Sequence, residues 1–209
     1  MTLLQMLENG LFALGQVLRF PVMALLWVCV AAALFMAGGC LVELVTRQRE
    51  RKGFDVGAWL KTGPVLATTD ARLQQLPPVL RGLVSDVQQE RAEGALAPGA
   101  LEHLVLQREE RVRRTVNPSR MLVKVGPSLG LLGTLIPMGS SLASLATGNL
   151  EAMAGQMIVA FTTTIIGLAV GTLAYVVAST RQGWVNETIR EQRYLAERIA
   201  SELNLEAVR

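Results

Sequence analysis

The chain has 209 residues, of which 51% are hydrophobic but only 5% aromatic, and its formal net charge is +3. Apolar residues fall in blocks with the charged residues between them, which indicates a membrane protein and argues against a single soluble domain or a nucleic-acid binder. The single histidine, and the lack of Cys, Asp or Glu at metal-ligand spacing, argue against a metal site. No cofactor is expected.

The N-terminal part of the chain is predicted to reach the membrane and then cross it. Residues 1–19 carry leucines at roughly helical spacing, which predicts an amphipathic segment in the membrane interface. Residues 20–42 are uncharged and long enough for transmembrane helix 1. The basic run RQRERK at 47–52 follows and favours a retained helix over a cleaved signal peptide.

Residues 43–120 are predicted to be a cytoplasmic helical segment, because they hold most of the arginines and lysines. Three helical pieces are expected, at about 65–76, at 79–93, and from about Pro98 towards the membrane. Asn117 and Pro118 either cap a new helix or kink one that continues into the next span.

Residues 121–147 and 156–180 are predicted to be transmembrane helices 2 and 3, joined by an external turn at 148–155. Residues 181–209 are predicted to be a cytoplasmic helical tail that continues the third span. Of the 20 Lys and Arg residues, all but Arg19 and Lys124 lie in 43–120 or 181–209. The positive-inside rule therefore puts both segments in the cytoplasm and the N-terminus outside, as in a multi-pass protein of the cytoplasmic (inner) membrane.

Small residues distinguish the second and third spans from a generic hairpin. Gly126, Gly130 and Thr134 share one face of the second span, and the third contains a G-x-x-x-G pair. Because small residues at this spacing let helix backbones approach each other in lipid, we predict helix-packing roles for Gly126, Gly130, Gly133, Gly167 and Gly171. Pro137 is predicted to kink the second span.

None of the three spans has an Asp, Glu, Lys, Arg or His in its interior, although a proton or ion pathway normally needs such a group. If the protein conducts protons, the titratable group must come from another chain. Thr134, Thr163 and Thr164 either line a hydrated path or pack against neighbouring helices. Lys124 either extends to lipid phosphate or guards the cytoplasmic mouth of a pore in an oligomer.

An enzyme is not expected. The stretch GPSLGLLGT at 126–134 lies in an apolar run and lacks the Lys-Ser/Thr pair of a phosphate-binding loop. The serines of the second span have no His or carboxylate within the membrane to activate them as nucleophiles.

The stretches LGLLGTLIPMGSSLASL and VAFTTTIIGLAVGTLAYVVAS resemble the paired motifs of the MotA/TolQ/ExbB proton-channel family. The family's G-L-x-G-T-x-x-x-M core matches 130–138, and its A-L-x-x-T-x-x-G-L core matches 160–168, with Phe161 in place of leucine. Three spans resemble the ExbB/TolQ branch, of which this chain looks like a divergent member, rather than the four-span flagellar stators. The resemblance is strong over about 121–200 and only architectural over 1–120.

The resemblance implies a pentamer of long helices around a pore, which holds two single-span partners of the ExbD/TolR kind, each with one intramembrane aspartate. Thr134 and Thr164 correspond to the family's pore threonines that face this aspartate. ExbB and TolQ proteins carry a glutamate five residues before the Thr164 position, where this sequence has Val159. Either this branch does without the carboxylate, or this member handles ions differently.

The sequence therefore favours an all-α membrane protein with three transmembrane helices extended by cytoplasmic helices. Its expected function is that of the channel-forming subunit of a proton-motive-force-driven motor that works in the cell envelope, for example in protein transport. Two alternatives stay open, a non-conducting membrane scaffold and a permease subunit of a solute transporter.

Overall fold

A computed structural model describes residues 3–51, 59, 63, 65, 73–92 and 99–203 of the chain. These residues contain no strand, and their helices are α1 (Leu3–Arg51), α2 (Pro78–Ala92), α3 (Ala100–Arg114), α4 (Asn117–Ala146) and α5 (Leu150–Glu202). By length and composition, three helical stretches can cross a membrane, Ala13–Gln48, Ala100–Ala146 and Leu150–Glu202. The predicted all-α architecture with three potential spans is confirmed.

The described helices belong to two compact units. The first unit comprises residues 1–40 and 118–179, and the second comprises residues 41–117 and 180–209. The first unit therefore holds the apolar parts of α1, α4 and α5, and the second holds α2, α3 and the polar ends of α1 and α5.

In the first unit, α1 packs through one narrow stripe. Its residues recur every three or four positions, which places them on one face of the helix, and they contact α4 and α5 at Leu129 and Val170. The stripe consists of Val22, Leu26, Cys29 and Ala33. Large side chains elsewhere on α1 are exposed, with Phe20 82% and Phe35 84% accessible. The unit is thus apolar on its outside as well as its inside, which suits a lipid environment.

The first helix is longer than predicted. The segment 1–19 and the span 20–42 were expected to be separate elements, but from Leu3 onwards they form one helix, α1, that runs through Pro21. Residues 1 and 2 lie outside the described residues. Proline removes a single backbone donor, and neighbouring groups in a membrane helix compensate for this loss.

The turn between α4 and α5 is shorter than the predicted 148–155. The α5 helix begins at Leu150 instead of 156, because the Asn149 side chain caps it by accepting a hydrogen bond of 3.0 Å from the backbone N–H of Ala152. Gly148 has a φ of 73°, in the left-handed region that glycine adopts without strain. At its other end α5 runs unbroken to Glu202, so the third span and the tail are one helix up to that residue, and 204–209 lie outside the described residues.

The second unit has a core of large aliphatic side chains. Those from α2, α3 and α5 include Leu80, Leu83, Val84, Val87, Leu101, Val105, Leu195 and Ile199. The positions of α2 and α3 agree with the second and third predicted helical pieces, whereas the piece at 65–76 lies largely outside the described residues. A turn at Thr115 and Val116 separates α3 from α4, so Asn117 and Pro118 begin a new helix.

A buried ion pair ties α3 to α5 in the second unit. The carboxylate of Glu109 is buried, and its Oε2 accepts a hydrogen bond of 3.0 Å from Nη2 of Arg193. These residues are 84 positions apart in the chain.

Candidate functional site

The α4 and α5 helices of the first unit meet along a seam of glycines, defined by Gly126, Gly130 and Gly133 on α4 and by Gly167 and Gly171 on α5. All five are buried. A Cβ atom added to Gly167 would lie 2.6 Å from Cα of Gly130, and one added to Gly171 would lie 2.6 Å from Cγ of Pro127. Backbone and ring atoms therefore occupy the space that any larger residue would need.

The same seam is tight when it is viewed from α4. A Cβ on Gly126 would lie 3.1 Å from the carbonyl oxygen of Gly167, and a Cβ on Gly130 would lie 3.1 Å from Cα of Gly167. At Gly133 the obstacle is the side chain of Thr163, whose Cβ would be 2.7 Å away. The seam thus brings the five predicted packing glycines into one contact, in which close backbone approach maximises dispersion.

Thr163 belongs to this contact and not to an exposed face. Its side chain is buried against Gly133, and its hydroxyl donates a hydrogen bond of 2.7 Å to the carbonyl oxygen of Ala160. This position favours the packing role of Thr163 over the pore-lining role, which stays a prediction. A hydroxyl inside a helix pair of one protomer is separated from any path that runs outside that pair.

Thr134 and Thr164 are only partly buried. The hydroxyl of Thr164 lies across the seam from the carbonyl oxygen of Gly130, at 3.4 Å, and that of Thr134 donates to the carbonyl oxygen of Leu131 at 2.7 Å. A hydroxyl that donates its proton to a backbone carbonyl keeps its lone pairs as acceptors. Both threonines can therefore accept hydrogen bonds from water or from a protonated carboxyl group at the edge of the seam.

Two prolines lie within α4, and the helix continues through both. The predicted one, Pro137, is buried, and its carbonyl oxygen accepts a hydrogen bond of 2.9 Å from the hydroxyl of Ser140. The other, Pro127, was not predicted as a functional residue, although its ring fills the space beside Gly171. The G-x-x-x-G pair on the third span was a signal that some residue of α4 must approach this closely.

Lys124 and Val159 complete the predicted site. The Lys124 side chain is exposed on α4, which is compatible with both interpretations made from the sequence, and Val159 is partly buried on α5. Within the part of the chain that the structure describes, no cluster of His, Cys, Asp and Glu has an arrangement that could hold a metal ion.

Residues 72–193 match the sequence model of the MotA/TolQ/ExbB proton channel family. The match includes α2, α3, α4 and most of α5, so the similarity extends into the segment before 121 that was expected to agree only in architecture. Comparison with curated protein sequences finds no match. Three helices able to span a membrane agree with a channel family, and this is not a family of enzymes. Because the family match covers more than half of the chain, the protein belongs to the MotA/TolQ/ExbB proton channel family.

Proposed function

We propose that this protein is the channel-forming subunit of a motor driven by the proton-motive force, and that it conducts protons together with a single-span partner of the ExbD/TolR kind. The observation that carries the proposal is the position of Thr134 and Thr164, whose acceptor oxygens lie at the edge of the glycine seam in spans without a charged residue in their interior. The assembly we propose is a pentamer in the inner membrane, with its N-terminus outside and its C-terminus in the cytoplasm.

The chemistry of the two threonines suits a carboxyl group that alternates between protonation states. A protonated aspartate donates a hydrogen bond to a threonine oxygen, whereas an ionised aspartate needs donors. A threonine hydroxyl supplies either, because its O–H rotates away from the backbone carbonyl that it otherwise contacts. The titratable group itself comes from the partner, since a charge at this depth is costly unless it is functional and paired.

The close packing of α4 and α5 at the seam is a second observation that supports this proposal. Because glycine backbones of α4 and α5 are in close contact, we expect these two helices to move together as one rigid body. A rigid body keeps the two threonines at fixed positions while a partner helix moves past them.

The proposal is tested first by native mass spectrometry of the complex, extracted in mild detergent from the host's own membranes. We expect five copies of the protein with one or two copies of a small single-span protein that has an intramembrane aspartate. Five copies that repeatedly contain no partner would leave the pore without a titratable group and would support the non-conducting scaffold.

The second test replaces each threonine with its isostere in the co-purified complex and measures proton flux in liposomes. We expect Thr134→Val and Thr164→Val to assemble normally and to lower the flux by roughly tenfold or more, the factor that about 1.4 kcal/mol of lost stabilisation produces. Thr162→Val is the matched control, since Thr162 is exposed on α5 and its hydroxyl donates to Ile158 in the preceding turn. Equal flux in all three variants would contradict the motor.

A further inference from the structure

A cavity of about 570 Å³ in the second unit has a strongly basic lining. Four arginines line it, Arg47, Arg108, Arg111 and Arg181, together with one carboxylate, Glu43. Arg108 is paired with Asp86, which lies outside the lining. When Asp86 is counted, four guanidinium groups face two carboxylates, and the cavity keeps an excess of two positive charges.

The arginines of this cavity are unevenly neutralised. Arg47 donates to Glu43 at 3.2 Å and lies over the ring of Trp184 at 5.1 Å, so it is held in place. Arg181 shares the same carboxylate, but its Nε is 3.8 Å away from it, which is beyond hydrogen-bond range. Arg111 forms no ion pair with any residue that the structure describes. Arg111 and Arg181 therefore retain donor capacity.

Buried polar atoms without a partner also line the cavity. The side chain of Gln192 is only 1% exposed, and neither its amide nitrogen nor its amide oxygen has a hydrogen-bond partner among the described residues. The Nε atom of Arg181 is also buried and also lacks a hydrogen-bond partner among the described residues. Buried polar groups in proteins are normally paired. A ligand with an acceptor for Nε of Arg181 and the Gln192 amide nitrogen, and a donor for the Gln192 oxygen, would satisfy all three atoms.

The position of the lining residues in the sequence indicates where such a ligand comes from. Glu43 directly follows the uncharged run 20–42, and Arg181 directly follows the apolar run 156–180. Trp184 is of the residue type enriched where helices leave a bilayer. The sequence position of Glu43 and Arg181 and the residue type of Trp184 therefore favour a location near the phospholipid headgroups.

A neighbouring cavity of the same unit, which shares Glu43 and Arg47 with the first, provides a contrast. Its volume is similar, about 580 Å³, but its lining has three carboxylates, Glu43, Glu187 and Glu191, and two arginines, Arg47 and Arg81. An anion is not favoured there. The excess of positive charge is therefore specific to the first cavity and is not found throughout the second unit.

We propose that the basic cavity binds a phosphate ester that carries a free hydroxyl group, such as the headgroup of an anionic phospholipid. The phosphate oxygens accept from Arg111 and Arg181, and the hydroxyl group, which lies farther along the ligand, accepts from the Gln192 amide nitrogen and donates to the Gln192 oxygen. Soluble glycerol phosphate has the same chemistry. The proposal does not depend on proton conduction.

The test uses the full chain in detergent and compares retention of phosphatidylglycerol and phosphatidylcholine by native mass spectrometry. We expect the wild type to prefer phosphatidylglycerol, and Arg111→Gln to weaken its retention by about tenfold, as for the loss of one charge-assisted hydrogen bond. Arg113→Gln is the matched control, because Arg113 is exposed on the same helix and does not line the cavity. No preference in the wild type, or equal losses in both variants, would overturn the proposal.

A second variant separates ligand binding from a purely structural role. Gln192→Leu removes the unpaired amide, so we expect it to lose the preference for phosphatidylglycerol while the lipid-free protein melts at the same temperature as the wild type or higher. A lower melting temperature with the preference intact would show that Gln192 is structural, and would contradict the proposal. Glycerol phosphate added in excess identifies the source, since displacement of phosphatidylglycerol indicates a soluble ester and retention indicates the lipid.

Discussion

The two units of this protein are packed by different means. In the second unit, Leu80 and Leu83 are buried among other large aliphatic side chains, as in a water-soluble domain. In the first unit, Gly130 and Gly167 approach so closely that an added Cβ atom would not fit, and large side chains such as Phe35 and Ile165 are exposed. Burial of apolar area drives packing in water, whereas in lipid it gives no advantage and close contact must replace it. One chain therefore follows two sets of packing rules.

The contrast between the two units would be refuted most clearly if truncation of a leucine destabilised both units equally. Leu83→Ala in the second unit should cost about 2–5 kcal/mol, because its side chain is fully buried and truncation leaves a cavity. Leu135→Ala in the first unit should cost far less, since Leu135 is 57% exposed. Thermal unfolding of the purified protein in detergent measures both, and comparable losses of melting temperature would refute the contrast.

The seam is expected to tolerate no added methyl group. Gly167→Ala should destabilise the protein by about 1–3 kcal/mol, because its Cβ would overlap the backbone of Gly130. Gly155→Ala is the control on the same helix, since nothing lies within 4 Å of its added Cβ. Size-exclusion profiles and melting temperatures in detergent report the effect, and a neutral Gly167→Ala would mean that the helices are not held by this contact.

The ion pair of the second unit should contribute less than its leucines. Arg193→Gln leaves the buried Glu109 carboxylate without its partner, and we expect a loss of about 1–2 kcal/mol because Arg193 itself is half exposed. Arg114→Gln, which breaks an exposed pair with Glu110, should cost less than about 1 kcal/mol. The double variant Glu109→Gln/Arg193→Gln should recover part of the loss. If it unfolds more readily than Arg193→Gln, the buried charge is not the cause.

Local sequence patterns were sufficient to predict much of the fold. The three apolar runs, the glycine spacings and the helix around 79–93 each depend on residues close together in the chain, and the helices appear where these patterns indicate. The start of α5 was placed too late, because the predicted turn was extended to 155, whereas the Asn149 side chain already caps the helix. The boundary at 19/20 was drawn where the uncharged run begins, and a change from polar to apolar residues does not end a helix, so α1 continues through it.

The features that escaped prediction depend on contacts between distant residues. Glu109 pairs with Arg193, which is 84 positions away in the chain. A sequence pattern suggests instead that Arg193 pairs with a carboxylate on its own helix. Thr163 and Thr164 are neighbours in sequence, and only the direction in which α4 packs decides that the first is buried and the second reaches the edge of the seam. The basic cavity combines residues from α1, α3 and α5.

The contact between Gly130 and Gly167 has a genetic consequence. A defect caused by a larger residue in a protein core is often repaired by a smaller residue opposite it, but here both positions already hold the smallest residue. A change at Gly167 therefore has no compensating substitution available at Gly130. A selection for recovered function after Gly167→Ala should yield true revertants at that codon, and second-site suppressors only at positions that shift a whole helix.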